Sequence, residues 1–571
     1  MSDDPGRSAY SAQVHAPRPG ARRLYRGGAV YSPADPFATA MLVEGGTIAW
    51  VGPDEAAGAW TRGDEEVVEL DGALVTPAFV DAHVHLTETG LRTTGVDLSA
   101  ARSAEDVLDA VTAAVRARPG ELITGAGWDE TRWAVPALPT RAQLDAAGAG
   151  APVHLSRTDG HSALVSTALA ARAGLPAGGT GHGEDALVRG AQHHAALAAR
   201  WAALSPAAAD AARRTALRAA AATGIGTVHE MSAAAFGPPG DLPALVALAG
   251  PGAPGERAAG REPLPAVVPY HAQAVTDAEE ARAVLDAFAA DGVVLAGLGG
   301  DLSVDGSLGS RTAALHRDYA DAPGTRGSLH LDAEAVRAHL RACTAAGVQA
   351  AFHAIGDAAL DLLAGALRAV ADEQGAAAVA ARGHRVEHAV AAGADVVAAL
   401  AALGVGVSAQ PAFDAVWGGP GGLYERRLGP ARAAALHPFA AMAAAGVPLA
   451  LGSDSPVTPF DPWGAVRAAA FPHREEHAVS VRAAFLAHTR GGHRLAGRAH
   501  PGVLRPGAPA TYALWSAGDL VVQAPDRRLS GWSTDARSGT PGLPDLSPGA
   551  PTPRCLRTAV DGVLVHDALD G

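Results

Sequence analysis

His83 and His85 stand two residues apart at the end of the apolar run LVTPAFVDAHVH. Residues i and i+2 of a strand project from the same side, so two imidazoles at this spacing can grip one cation. An isolated pair of this kind is more often two ordinary histidines, but here a buried-type strand delivers it. His353 in AAFHAIGD and His388 in RVEHA each end a further apolar run, and Asp454 in LALGSDSP follows another. Taken singly, each of these histidines reads more often as a satisfied core residue, and Asp454 as a helix N-cap between serines. An ionised carboxylate after a buried strand is costly unless it is paired or metal-bound. Together, four imidazoles and one carboxylate suffice for a zinc-like ion with a position left open to water.

Strands must bring these residues to one place. Eight candidates are ALVTPAFVDAHVH, GIGTVHEM, PAVVPYH, GDLSVDG, VQAAFHAIG, HRVEHA, GVGVSAQP and PLALGSDSP, with Ala-rich helical stretches between most of them. That alternation predicts βαβ units, and eight strands predict an α/β fold with a (β/α)8 TIM-like barrel. Barrel chemistry sits at the C-terminal strand ends. Those ends carry His83 and His85, then His229 and Glu230, His271, Asp301 to Asp305, His353, His388, Gln410 and Asp454. The gap from His85 to the second candidate is too long for one crossover helix. It holds the apolar runs LITGAGW and PVHLSRTD, which predicts a subdomain inserted after barrel strand 1, over about residues 95–210, covering the barrel mouth. Short strands return at both ends of the chain. Residues 22–75 and 501–571 are therefore expected to form one small β-sandwich domain flanking a barrel over 76–500, with a mobile loop at about 530–554, where Gly, Pro and Ser crowd.

Composition narrows the chemistry. The formal net charge of −14 argues against a nucleic-acid surface. No run of eighteen or more apolar residues occurs, so no membrane span is expected. The first twenty residues lack an apolar h-region, and two cysteines, Cys343 and Cys555, cannot make a disulfide framework. Both features fit a cytoplasmic protein. The chain contains no lysine and no asparagine, so all 45 basic residues are arginines. Schiff-base, phosphate-loop and carboxylated lysines are thereby ruled out, as is N-glycosylation. No GxSxG elbow is present, and neither cysteine has the setting of a nucleophile.

The ordered motifs TPAFVDAHVH, DGHSALV, DGSLGSRTAAL, FHAIGDAAL, RVEHA, SAQPAF and GSDSPVTPFDPW resemble the amidohydrolase superfamily. The resemblance is to amidohydrolase family 3, which includes the N-substituted formamide deformylases, and it spans about Arg22 to Asp570. It implies a barrel with a β-sandwich, a divalent metal, expected to be Zn2+ at one or two per chain, and hydrolysis of carbon–nitrogen bonds other than peptide bonds. By matching motif it implies His83, His85, His353, His388 and Asp454 as metal ligands, with Asp454 also the general base. Many relatives place a carboxylated, metal-bridging lysine before DGSLGS; here Asp301 stands there. Either Asp301 bridges two ions as a shorter carboxylate or the site holds one ion. A second departure is Thr511, where an aspartate often follows the alanine.

The expected reaction is attack by a metal-activated water on an amide, formamide or lactam carbon. Asp454 would move the proton, and His388 or His229 would help stabilise the oxyanion. Trp128 and Asp129 in GAGWDETRW, His161 in DGHS, His229, and Arg311 in GSRTAA are candidates for binding a small-molecule substrate. Trp128 reads equally as packed core and Arg311 as a solvated partner of carboxylates. Two alternatives stand beside this reading: a deaminase of a small heterocycle on the same site, and a catalytically silent metal-binding barrel. Relatives are often dimeric, which implies a possible homodimer.

Overall fold

The computed structural model describes residues 21–158, 160, 162–175, 186–233, 236–250, 262–498, 502–523, 532–533 and 540–569. Its centre is an eight-stranded parallel sheet: β1 Phe79–Val84, β2 Ile225–Ser232, β3 Ala266–His271, β4 Gly297–Leu298, β5 Gln349–Ala354, β6 Arg385–His388, β7 Gly406–Ala409 and β8 Leu449–Leu451. Each strand pairs with the next in sequence order. The sheet closes at its C-terminal lip, where Val84 bridges Ser455. The Asp454 N–H donates to the His83 carbonyl at 2.8 Å, and the His85 N–H donates to the Ser455 carbonyl at 2.8 Å. Two metal-ligand candidates thus lie on one side of this junction and a third on the other.

Two predicted strands needed correction. The first candidate divides at Pro77, which has no N–H to offer a ladder. Leu74–Pro77 pairs with Tyr512–Ser516 in the small domain, and only Phe79 onward belongs to the barrel. The fourth candidate lies too late in the sequence. β4 ends at Leu298, and Gly299 and Gly300 follow with φ of 115° and 78°. A Cβ on Gly299 would stand 1.8 Å from the Ala351 carbonyl oxygen, so glycine alone fits there. Asp301 to Asp305 therefore form a turn-rich segment above the barrel, tied to β5 by a bridge between Ser303 and His353.

Both ends of the chain build the β-sandwich. One sheet orders Thr47–Gly52, Ala40–Glu44, Arg22–Arg26 and Glu66–Glu69. The other orders Ala29–Val30, Leu74–Pro77, Tyr512–Ser516, Arg554–Val560 and Val563–Asp567. Tyr25 and Tyr512, both fully buried, share a 2.6 Å hydroxyl hydrogen bond between the sheets. Thr511 lies in this domain and its hydroxyl contacts Asp561. Trp515 reaches into the barrel, packing edge-on against Phe79 and Trp463. Within the Gly- and Pro-rich stretch at 530–554, residues 530, 531 and 534–539 lie outside the described residues. From residue 540 the chain is docked, not a free loop. Leu543–Pro544 pairs with Leu520–Gln523, Leu546 is fully buried, and Arg467 binds the carbonyls of Leu546 and Ala550.

The insertion carries a five-stranded sheet in which Val96–Asp97, Ile123–Trp128, Val153–Arg157, Ser162–Val165 and Leu187–Arg189 are neighbours in turn. It has its own core of Val107, Ile123, Trp128, Leu144, Val153 and Leu155. The chain returns through helix Pro206–Ala222, which crosses helix α1, Leu86–Thr94, so closely that a Cβ on Gly90 would lie 1.9 Å from the Ala212 carbonyl oxygen. No helix among the described residues is long and apolar enough to cross a membrane.

Several core histidines are locked in the neutral form. His384 Nδ1 accepts the Ala350 N–H at 2.9 Å while its Nε2 faces Thr344 Oγ1 at 2.9 Å. His339 Nδ1 accepts the Val275 N–H at 3.1 Å. Burial pushes His384 down to about 3, and His339 and His488 down to about 4, from an ordinary value of 6.5. A folded value below the unfolded one means the unfolded chain takes up protons that the fold refuses. This stabilisation is complete above about pH 6.5 and is lost as the pH falls toward 4. Ring-proton shifts of His384, His339 and His488, followed by NMR, should therefore show all three still neutral at pH 5.5. Titration of these rings near the ordinary 6.5 would contradict the neutral-histidine assignment.

Candidate metal centre

At the lip, His83, His85 and Asp454 bring one donor atom each within 4.8 Å of one another, and so do His83, Asp301 and His388. His83 belongs to both groups. Asp454 Oδ1 lies 3.3 Å from Nε2 of His83 and of His85. Asp301 reaches further into the cluster than a short side chain suggests. Its Oδ1 lies 3.2 Å from His353 Nδ1 and 3.8 Å from Nε2 of His83 and of His388, and its Oδ2 lies 3.5 Å from His85 Nε2. Position compensates for length, because the segment after β4 places the Asp301 carboxylate among all four histidines. The backbone at His388 and Asp454 is left-handed, with φ of 70° and 55°. For residues other than glycine that conformation costs energy and persists where the surroundings enforce it.

Outer hydrogen bonds set which nitrogen faces inward. His83 Nδ1 contacts Glu387 Oε2 at 2.9 Å, His388 Nδ1 contacts Gln410 Oε1 at 2.8 Å and His85 Nδ1 contacts the Met231 carbonyl at 3.2 Å. All three partners accept only at these oxygens, so each Nδ1 carries the proton and each Nε2 keeps its lone pair toward the cluster. The buried Nε2 atoms of His83 and His388 have no hydrogen-bond partner. His353 is turned the other way, with Nε2 3.4 Å from the Gly306 carbonyl and Nδ1 toward Asp301. Glu387 is itself held by both sides of the Arg385 guanidinium at 2.5 and 2.8 Å, entirely buried. Inward-facing lone pairs without partners, next to two carboxylates, fit a divalent cation.

The electrostatics agree with that fit. Burial opposes a charge on His85 and His353, yet the hydrogen bond and charge of Asp454 and Asp301 outweigh it and raise both rings to about 9. Burial likewise opposes ionisation of Asp301 and Asp454, but the surrounding imidazoles hold both carboxyls below the ordinary aspartate range. The cluster therefore stabilises positive charge at its centre. Beneath it, Asp81 accepts the Ser453 N–H at 2.9 Å and the His83 N–H at 3.2 Å, fixing β1 to the turn after β8. Burial raises the Asp81 carboxyl to about 6.

The substrate-contact candidates divide. Asp129 lines a cavity at the cluster, and Arg157 binds it at 3.0 Å. Trp128 does not reach that cavity; it is core to the insertion, with Nε1 donating to the Leu155 carbonyl at 2.9 Å. His229 lies fully buried beneath the cluster, where its Nδ1 accepts from Arg385 at 3.2 Å, so it can touch no substrate. It faces the barrel interior because residues alternate along β2. Arg311 turns away to pair with Asp321 at 2.9 Å. His161 lies outside the described residues. His271 packs against Phe288 and joins neither metal group. The residues that sequence reasoning passed over are Glu387 and Arg385, both inside the RVEHA motif. Alternation would have turned Glu387 to the face opposite His388, but no pattern indicated that His83 lies there.

Comparison with known proteins agrees with this geometry. The chain is 26% identical over 465 residues to the putative amidohydrolase YtcJ of Bacillus subtilis, covering 78% of this chain and 83% of that one. A segment of 143 residues is 30% identical to the N-substituted formamide deformylase of Arthrobacter pascens, covering 24% of this chain and 26% of that protein. An uncharacterized metal-dependent hydrolase from Pyrococcus horikoshii superimposes with a TM-score of 0.69 at 25% identity, over 87% of this chain and 98% of that one. The model of the amidohydrolase family matches residues 66–566. Barrel, sandwich and histidine–aspartate cluster thus meet in one chain, which belongs to the amidohydrolase family and is a metal-dependent hydrolase.

Proposed function

We propose that the chain hydrolyses a carbon–nitrogen bond other than a peptide bond, in a small amide, formamide or lactam, with Zn2+ as its cation. The observation that carries this is the pair of buried, unpartnered Nε2 atoms on His83 and His388, facing Asp301 and Asp454 beside a cavity. The similarity to an N-substituted formamide deformylase supports the choice of bond. His83, His85, His353, His388, Asp301 and Asp454 would hold the metal, and Zn2+ bound there would supply Lewis acidity toward water and a carbonyl oxygen.

The chain's own residues perform the rest. Asp454 lines the cavity and is kept ionised by its imidazole neighbours, so it can orient a water molecule and accept its proton. The water oxygen bonds to the carbonyl carbon, the carbon–nitrogen bond breaks, and Asp454 returns the proton to the departing nitrogen. The products are a carboxylic acid, or formate from a formamide, and an amine. Proton balance is complete without a further group. His388 faces the same cavity, and its tautomer is fixed by Gln410, so its ring is held in place as charge develops on the substrate oxygen.

Metal content is the first test. Protein purified without chelator and loaded with zinc should hold about one or two equivalents, as sites of this ligand type do. Changing His83 and His85 together to alanine should abolish that content, and full retention by elemental analysis would sink the assignment. Asp454→Asn should lower kcat by roughly 10²–10⁴-fold, the range for loss of a positioned proton carrier. Near-normal turnover in a zinc-retaining variant would remove Asp454 from this role. Glu387→Gln should weaken zinc affinity by about 10–100-fold in competition with a fluorescent chelator, because His83 would lose its charged anchor. An unchanged affinity would show that Glu387 serves only the fold.

A further inference from the structure

The space above the metal cluster has two parts, which meet at Arg157, Thr158, His353, His388, Asp454 and Val457. The narrower arm, about 170 Å³, has one apolar wall, made by Leu308, Ile355, Val390, Phe413, Trp417 and Tyr424, and a polar side that includes Asp129, Arg157, Arg426 and Arg427. Those arginines have partners of their own: Arg157 holds Asp129 and Glu130, Arg427 holds Asp321, and the exposed Arg426 holds the Gly421 carbonyl. A volume of about 150 Å³ is enough to hold benzene. The wall is aromatic from the cluster outward: Phe413 stacks on His388 at 5.9 Å, and Trp417 follows with ring centres 4.9 Å from Phe413.

The wider chamber, about 480 Å³, has Arg92 in its wall. Arg92 sits in the last turn of α1, the helix that begins directly after His85. Its Nη1 donates to the Pro456 carbonyl at 2.8 Å, and among the described residues no ion pair involves it. The nearby carboxylates are engaged elsewhere. Both oxygens of Glu88 are bound by Arg200, and Asp97 accepts the Ser99 N–H at 2.9 Å. A guanidinium carries five donors, and a half-buried one satisfied by a single carbonyl has hydrogen bonds left to give. An anion entering the chamber would meet that capacity.

We infer that the substrate is amphiphilic: an apolar, ring-sized group fills the narrower arm, an anion such as a carboxylate meets Arg92 in the wider chamber, and the scissile bond lies between them at the cluster. This rests on the hydrolase reading above and adds the class of molecule that the site selects.

The test uses the full zinc-loaded chain and five amides. N-benzoyl-β-alanine carries ring and carboxylate; N-propylbenzamide carries the ring alone; N-acetyl-β-alanine carries the carboxylate alone; N-propylacetamide carries neither; and N-benzylsuccinamate carries both in the reverse order. Amine release gives KM and kcat, and calorimetry gives binding whether or not turnover occurs. One of the two amphiphilic compounds should bind best. Arg92→Gln should weaken that compound by about 10–100-fold more than N-propylbenzamide, the loss of a charge-assisted hydrogen bond. Arg92→Lys, which keeps the charge, should retain part of the preference and guards against a merely misfolded variant. Trp417→Ala should erode the preference for the ring. Equal binding of all five, or an anion preference that survives Arg92→Gln, would overturn the inference even if the neutral amides are hydrolysed. Selective, Arg92-dependent binding without hydrolysis of any amide would uphold the inference and overturn the carbon–nitrogen hydrolase reading instead.

Discussion

Two carboxylates and four imidazoles are buried together at the mouth of this barrel, and much of the surrounding architecture follows from what that burial demands. Charges removed from water must find partners, or the groups neutralise. Asp301 and Asp454 find theirs in the histidines, and the histidines find theirs in a second ring of acceptors made by Glu387, Gln410 and the Met231 carbonyl. Glu387 would in turn be an unpaired buried charge without Arg385, which lies wholly inside the barrel against the face of Tyr270. Each layer is explained by the one above it. A cation held at the centre would complete the charge balance that the side chains begin.

The same constraint accounts for where the backbone departs from regular geometry. β1 and β8 are joined at the lip by hydrogen bonds from the Asp454 and His85 N–H groups, so the seam of the barrel is also the seat of the cluster. Asp81 secures the seam from below by accepting two N–H groups, one from each side. Gly452 must be glycine in this setting, since a Cβ there would stand 2.7 Å from the His83 nitrogen. The left-handed φ at His388 and Asp454 and the paired glycines after β4 aim three ligand-bearing segments inward. Barrel strands alone would deliver side chains alternately inward and outward. These local turns bring donors from different strands to one point.

The insertion walls part of the space above the cluster. It is a folded unit with its own core, so it can present Asp129 and Arg157 over the cluster without drawing on the barrel's packing. Its placement after β1 puts it directly beside the two histidines that begin the metal site. The sandwich domain contributes differently. Trp515 packs into the barrel beneath β1, and the Tyr25–Tyr512 contact joins the two ends of the chain, so the start of β1 is held from outside the barrel.

Much of this was legible in the sequence, and the reason is physical. Histidines and aspartates at the ends of apolar runs are conspicuous, because burying them in isolation is costly. His83, His85, His353, His388 and Asp454 therefore stood out, and the barrel followed from the alternation of strands and helices. The paired β-rich ends likewise announced the sandwich. Sequence did not reveal the facing of individual side chains or the contacts between distant segments. Trp128 stands beside polar, motif-like residues and His229 at a strand end, but both are core in the fold, and Arg311 finds its partner ten residues away. Glu387 and Arg385 have meaning only because β6 lies across the barrel from β1. Asp301 illustrates both sides. Its sequence showed a carboxylate shorter than the lysine derivative of its relatives, while only the turn at Gly299 and Gly300 decided that it would reach all four histidines. Local chemistry is written in residue types, but which groups meet is decided by a closed sheet that brings residues hundreds of positions apart within hydrogen-bonding distance.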